Sequence, residues 1–115
     1  MSGSVSSSRR CALRFSAGNH NVTYKTEFED GVAVIENISA NGCAIRGNSI
    51  PISANEKILL TINLEKGTEP VEVTCRIVRI DRDTSALQFM LISEENKQRI
   101  VRYFANKQRS EMKKS

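Results

Sequence analysis

The residues with most to offer chemically are arginines. Arg9, Arg10 and Arg14 fall within Arg9-Arg10-Cys11-Ala12-Leu13-Arg14, an Arg-x-x-x-Arg with a further arginine directly ahead of it. A guanidinium presents five N–H donors in a planar fork, so two of them four residues apart suit an anion or an acceptor-rich base edge. Further on, Asn37-Ile38-Ser39-Ala40-Asn41-Gly42 interrupts a β-rich stretch with a polar, glycine-ended corner. Asn, Ser and Gly are what β-turns are made of, and a strand-ending turn with Gly42 at positive φ accounts for the corner by itself. Catalytic and metal chemistry find little to work with. His20 is the only histidine, no serine or cysteine has a base beside it in pattern, and no Cys/His cluster has zinc spacing. Neither an enzyme nor a metal site is expected.

The rest of the chain must position those arginines, and it is small. Its 115 residues suffice for one domain, with 39% hydrophobic and 26% charged residues in an ordinary globular balance. No apolar run is long enough for a membrane span, and Met1 to Arg10 lacks the apolar stretch of a secretory signal. Three cysteines without a Cys-x-x-Cys spacing argue for reduced thiols and a cytoplasmic setting. Cys43 and Cys75 read as small strand hydrophobes, whereas Cys11 sits among arginines that could sensitise it. The formal charge of +4 hints at nucleic acid, but its distribution does not. Residues 1–96 carry a net −2, and residues 97–115 a net +6 with Glu111 as their only acid. The excess is a solvated C-terminal stretch rather than a docking face, so no DNA or RNA is expected. A single-strand-binding barrel would also need stacking aromatics, and only 5% of the residues are aromatic.

Residues 1–8 are Ser/Gly-rich and read as a flexible tail. From about residue 21 the periodicity is that of strands. Val22, Tyr24, Thr26 and Phe28 alternate with polar residues, Glu29-Asp30-Gly31 turns the chain, and Val32 to Ile38 follows. Cys43 to Ile45 resumes after the corner. Ile58, Leu60, Ile62 and Leu64 share a face, as do Val71, Val73, Cys75 and Ile77 on a strand running to Ile80. Ala86 to Ile92 is the last strand, with Leu87, Phe89 and Leu91 in phase. The period then changes. Ser93 is a good N-cap, Glu94 and Glu95 suit the positive end of a helix, and Ile100, Val101 and Phe104 form an apolar stripe. Around six short antiparallel strands followed by one helix make a small barrel or closed sandwich.

In this order, Arg10-x-x-x-Arg14 and Asn37-x-Ser39-x-x-Gly42 resemble the two motifs of the PilZ domain family, whose ligand is the bacterial second messenger cyclic di-GMP. The 22 residues between Arg14 and Asn37 suit that family's spacing. So do Arg76-Ile77-Val78-Arg79, the strand Ala86-Leu87-Gln88-Phe89 and a helix opening on Ser93. One departure is Ala86, where the family commonly has glycine. The resemblance implies a six-stranded antiparallel β-barrel with a C-terminal α-helix over residues 9–105, leaving 106–115 as a basic tail. It implies a cyclic di-GMP receptor whose site residues are Arg9, Arg10, Arg14, Asn37, Ser39 and Gly42. Arginine matches guanine O6 and N7 bidentately and can clamp a phosphate, while Asn37 can accept from the guanine N1–H and N2–H₂ edge. Ser39 can donate to a phosphate or base oxygen. Arg9 before the motif is associated in the family with an intercalated ligand dimer. Ordering of the arginine segment by ligand would then signal to an unidentified effector protein. The alternative is a PilZ-fold adaptor that docks an acidic partner on its basic helix without nucleotide. The downstream pathway, motility, exopolysaccharide or pili, is not written in the chain.

Overall fold

The structure, a computed structural model, describes residues 14–114, with side chains through residue 110. Arg9, Arg10, Cys11 and the segment 1–8 lie outside the described residues. Six strands precede one helix: β1 (Phe15–Lys25), β2 (Asp30–Ile38), β3 (Gly42–Arg46), β4 (Lys57–Ile62), β5 (Val71–Asp81), β6 (Thr84–Leu91) and α1 (Glu94–Lys114). Every strand pairs antiparallel with two others, and the sheet closes in the order β1-β2-β3-β6-β5-β4. The closing pair is short: Thr23, Tyr24 and Lys25 of β1 meet Thr61, Leu60 and Leu59 of β4.

Alternation is what fills the barrel. Ile58, Leu60 and Ile62 of β4 and Val71, Val73, Cys75 and Ile77 of β5 all point inward and are buried. Each of the valine, leucine and isoleucine side chains contributes roughly 1.5–3 kcal/mol on leaving water. Tyr24 is buried too, and its hydroxyl donates to the Ile50 carbonyl at 2.8 Å, so its polar end is satisfied. Gly31, its cross-strand partner, leaves room for that ring; a Cβ there would overlap it. The helix begins as its cap residue dictates, with Ser93 Oγ accepting from the Asn96 N–H at 3.1 Å. Ile100 and Phe104 are buried in the barrel core, and α1 lies against β1.

Four details depart from the periodicity. β1 starts at Phe15, not near residue 21, because its register shifts between Ser16 and His20 around Gly18 and Asn19, whose φ values are 61° and 59°. That left-handed pair breaks the period-two pattern and hides the first half of the strand. Phe28 is 86% exposed in the β1–β2 turn instead of continuing the inward face of Tyr24. Leu91 is 74% exposed, because Met90 is an extra residue between the pairs Cys75–Phe89 and Thr74–Leu91 and reverses the phase. Finally, the stretch 106–114 continues the helix rather than forming a separate tail.

Candidate ligand-binding site

Pairing register brings five residues into one row across the outside of the barrel. Ser16 pairs with Asn37, Asn37 with Ala44, Ala44 with Ala86 and Ala86 with Arg79, on β1, β2, β3, β6 and β5 in turn. Ala44 alternates with inward Cys43 and Ile45, and Ala86 precedes inward Leu87, so the two alanine methyls face out. They form the floor of an open groove of about 490 Å³, with Arg14 and Asn37 on one wall and Val78 and Arg79 on the other.

Each wall stands on a β-bulge. In β2, Ile35 pairs with Ile45 and Asn37 with Ala44, which leaves Glu36 as the extra residue. In β5, Ile77 pairs with Leu87 and Arg79 with Ala86, which leaves Val78 as the extra residue. A bulge re-aims the side chains beside it. Here Glu36 and Asn37 both reach the surface between buried Ile35 and Ile38, and Val78 and Arg79 do so beyond buried Ile77.

Arg14 and Asn37, one residue from each sequence motif, are in direct contact. Arg14 Nε and Nη2 both donate to Asn37 Oδ1, at 2.9 and 2.6 Å. The contact is between a cation and a neutral amide, so it orients the guanidinium without cancelling its charge. The other arginines near the groove differ in this respect. Arg46 Nε lies 2.9 Å from Glu36 Oε2, and Arg79 Nε lies 2.8 Å from Asp81 Oδ2. Arg46 also donates to Asn19 Oδ1, which ties the irregular part of β1 to β3.

Ser39 and Gly42 serve the corner itself. Ser39 is fully buried; its Oγ accepts from the Asn41 N–H at 3.1 Å and donates to the Gly42 carbonyl at 3.3 Å. Its backbone N–H donates to the same carbonyl at 2.8 Å. The Asn41 carbonyl accepts from the Phe89 N–H at 2.8 Å and so locks the corner to β6. Gly42 is not at positive φ. What it requires is proximity: a Cβ there would drive into the Leu87 carbonyl oxygen of β6. The structure therefore brings Arg14 and Asn37 to the groove, and sets Ser39 and Gly42 behind it as the parts that hold β2, β3 and β6 in place. Arg79, Asp81 and Val78 are groove residues that periodicity alone passes over, because the bulge at Val78 is visible only in the pairing.

Among the described residues no three His, Cys, Asp or Glu side chains gather to hold a metal ion, and no helix is long and apolar enough to cross a membrane. The outer face of this closed antiparallel barrel thus carries an open groove with an arginine on each wall. The family model described as the PilZ domain matches residues 7–106, and the chain belongs to that family. Solved structures share its fold. The PilZ domain of YcgR from Escherichia coli, determined with c-di-GMP, superposes with a TM-score of 0.77 at 14% identity, covering 93% of this chain and 99% of that one. The Bacillus subtilis inhibitor of motility, MotI/DgrA, gives 0.73 at 24% identity over 86% of this chain. This chain matches 51% of that protein, about half its length. The PilZ domain of CeSA from a cellulose-synthesizing bacterium gives 0.64 at 15% identity, covering 83% and 97% of the two chains. No curated protein sequence matches the chain.

Proposed function

We propose that the chain is a cyclic di-GMP receptor that signals to a protein partner and catalyses nothing itself. The observation that carries this reading is the pair of hydrogen bonds from Arg14 to Asn37, which unites the two motifs at one end of the groove. Membership of the PilZ family supports it, as does the YcgR domain determined with the same nucleotide. In this reading Arg14 takes a guanine edge or a phosphate, and Asn37 offers its carbonyl oxygen to a guanine N–H edge once Arg14 turns to the ligand. Arg10 supplies the second fork, and Arg9 favours a second, intercalated nucleotide by stacking on its base. Both lie outside the described residues. The bound ligand draws the arginine segment onto the barrel, and the effector protein reads the new surface. Three thiols without disulfide spacing fit a cytoplasmic receptor.

Calorimetric titration with cyclic di-GMP tests this directly. Saturable binding with two nucleotides per chain is expected. Arg14→Ala should weaken it tenfold to a hundredfold, the loss of one charge-assisted hydrogen bond. Arg10→Lys should fail as well, because an ammonium cannot grip a base edge with two parallel donors. Absence of heat and of any melting shift in the wild-type chain would overturn the receptor reading.

A further inference from the structure

We propose that Arg79 is a ligand-contacting residue on the far wall of the groove, and that Asp81 holds its guanidinium in place until a ligand takes it over. The proposal rests on the receptor reading and deepens it by adding a residue that neither sequence motif contains.

Three observations lead to it. Asn37 and Arg79 stand in one cross-strand row, with only Ala44 and Ala86 between them. Three strand spacings separate them, about 14 Å. The floor between is two methyl groups, low enough for a flat purine or a ribose to lie against. Both walls are raised by a bulge, at Glu36 and at Val78, so the far wall is built as the near one is. Lastly, Arg79 is presented rather than packed: its side chain is 70% exposed and that of Asp81 60%. Their ion pair is solvated and joins residues two apart on one strand, a kind of contact that stabilises little. A phosphate arriving at the groove can therefore displace Asp81 from Arg79 at small cost.

The span also bears on which ligands the site prefers. A mononucleotide has one base and one phosphate to divide between the two walls. A compact ring with two bases and two phosphates extends far enough to touch both walls at once. Arg79 thereby helps select a dinucleotide over its halves.

Titration of the full chain with cyclic di-GMP, and in parallel with GMP, tests the proposal. Arg79→Ala should weaken cyclic di-GMP binding about tenfold or more while leaving the melting temperature unchanged. Asp81→Asn should tighten it roughly twofold to fivefold, since the guanidinium no longer has to be won from a carboxylate. Opposite signs from two exposed neighbours cannot come from general destabilisation. GMP should bind far more weakly and lose less on Arg79→Ala than cyclic di-GMP does. If both variants bind cyclic di-GMP as the wild type does, while Arg14→Ala loses it, the receptor reading stands and Arg79 has no part in the site. If the wild type does not bind at all, both fall together.

Discussion

Lys107 Nζ lies 3.2 Å from His20 Nδ1 across the seam between α1 and β1. His20 Nε2 lies 2.6 Å from the Asn63 carbonyl oxygen, which can only accept. The imidazole is therefore neutral, with its proton on Nε2 donated to Asn63 and Nδ1 accepting from the lysine. Its ring meets Tyr103 and Phe104 edge-on, at centroid distances of 5.6 and 5.1 Å. Nearby, the Ser16 N–H donates to Gln108 Oε1 at 2.7 Å. The helix thus grips the start of β1 close to Arg14.

This arrangement makes helix docking sensitive to acid. Half-burial, opposed by the Asn63 hydrogen bond and reinforced by the Lys107 charge, holds the His20 pKa below its ordinary 6.5. The unfolded chain then takes up a proton at a pH where the folded chain does not. The stabilising contribution is complete above 6.5 and declines as pH falls from there toward the lowered folded value. Thermal melts between pH 8 and pH 5 should show a fall in the wild type that His20→Gln, which has nothing to protonate, largely removes. Equal slopes would mean that His20 is not the group responsible.

Gly42→Ala should damage the barrel, not only the groove. The added methyl meets backbone, the Leu87 carbonyl, which cannot swing aside as a side chain could. Overpacking of this kind costs about 1–3 kcal/mol. A melting point lower by several degrees is the expected result, and an unchanged one would show that β3 and β6 can separate freely.

Ser39→Ala removes the hydroxyl that satisfies the Asn41 N–H inside the corner. With the group fully buried, about 1–3 kcal/mol of stability should go with it. Ligand affinity, measured well below the lowered melting point, should change much less than in Arg14→Ala. An affinity loss as large as that of Arg14→Ala, with stability intact, would instead make Ser39 a direct ligand donor.

The two described thiols should be inert in the native chain. Burial pushes Cys75 up to about 12, and burial beside Cys75 raises Cys43 well above the usual thiol range. Neither has an appreciable thiolate fraction at neutral pH, so peptide mapping after alkylation should find both unmodified until denaturant is added. Rapid native labelling of either would show that the barrel opens there.

How much of this was legible from the chain depends on which interactions are local. The inward faces of β4 and β5 follow from period-two alternation, and the start of α1 follows from Ser93, Glu94 and Glu95. The contact between Arg14 and Asn37 could be anticipated only because each belongs to a motif with a recognisable spacing. Bulges defeat the same reasoning. Glu36, Val78 and Met90 are extra residues only with respect to a partner strand, and no run of neighbours announces them. Hence alternation alone puts Leu91 on the wrong face and passes over Arg79 as a groove residue. Gly42 shows a subtler limit. A glycine in a turn context suggests a left-handed backbone, while the reason for it lies some 45 residues downstream, in the Leu87 carbonyl oxygen.

The two alanines on the groove floor belong to β3 and β6, whose pairing is one of the two seams, with β1 and β4 the other, that join the β1–β2–β3 meander to the β4–β5–β6 one. Each meander can form from near neighbours; this seam cannot, since it must close a long loop first. The groove consequently has no existence in a half-folded chain. A molecule lying across it would act as a clasp on this seam, slowing its opening by an amount set by affinity. The rate of unfolding, rather than its equilibrium alone, would then report occupancy of the groove.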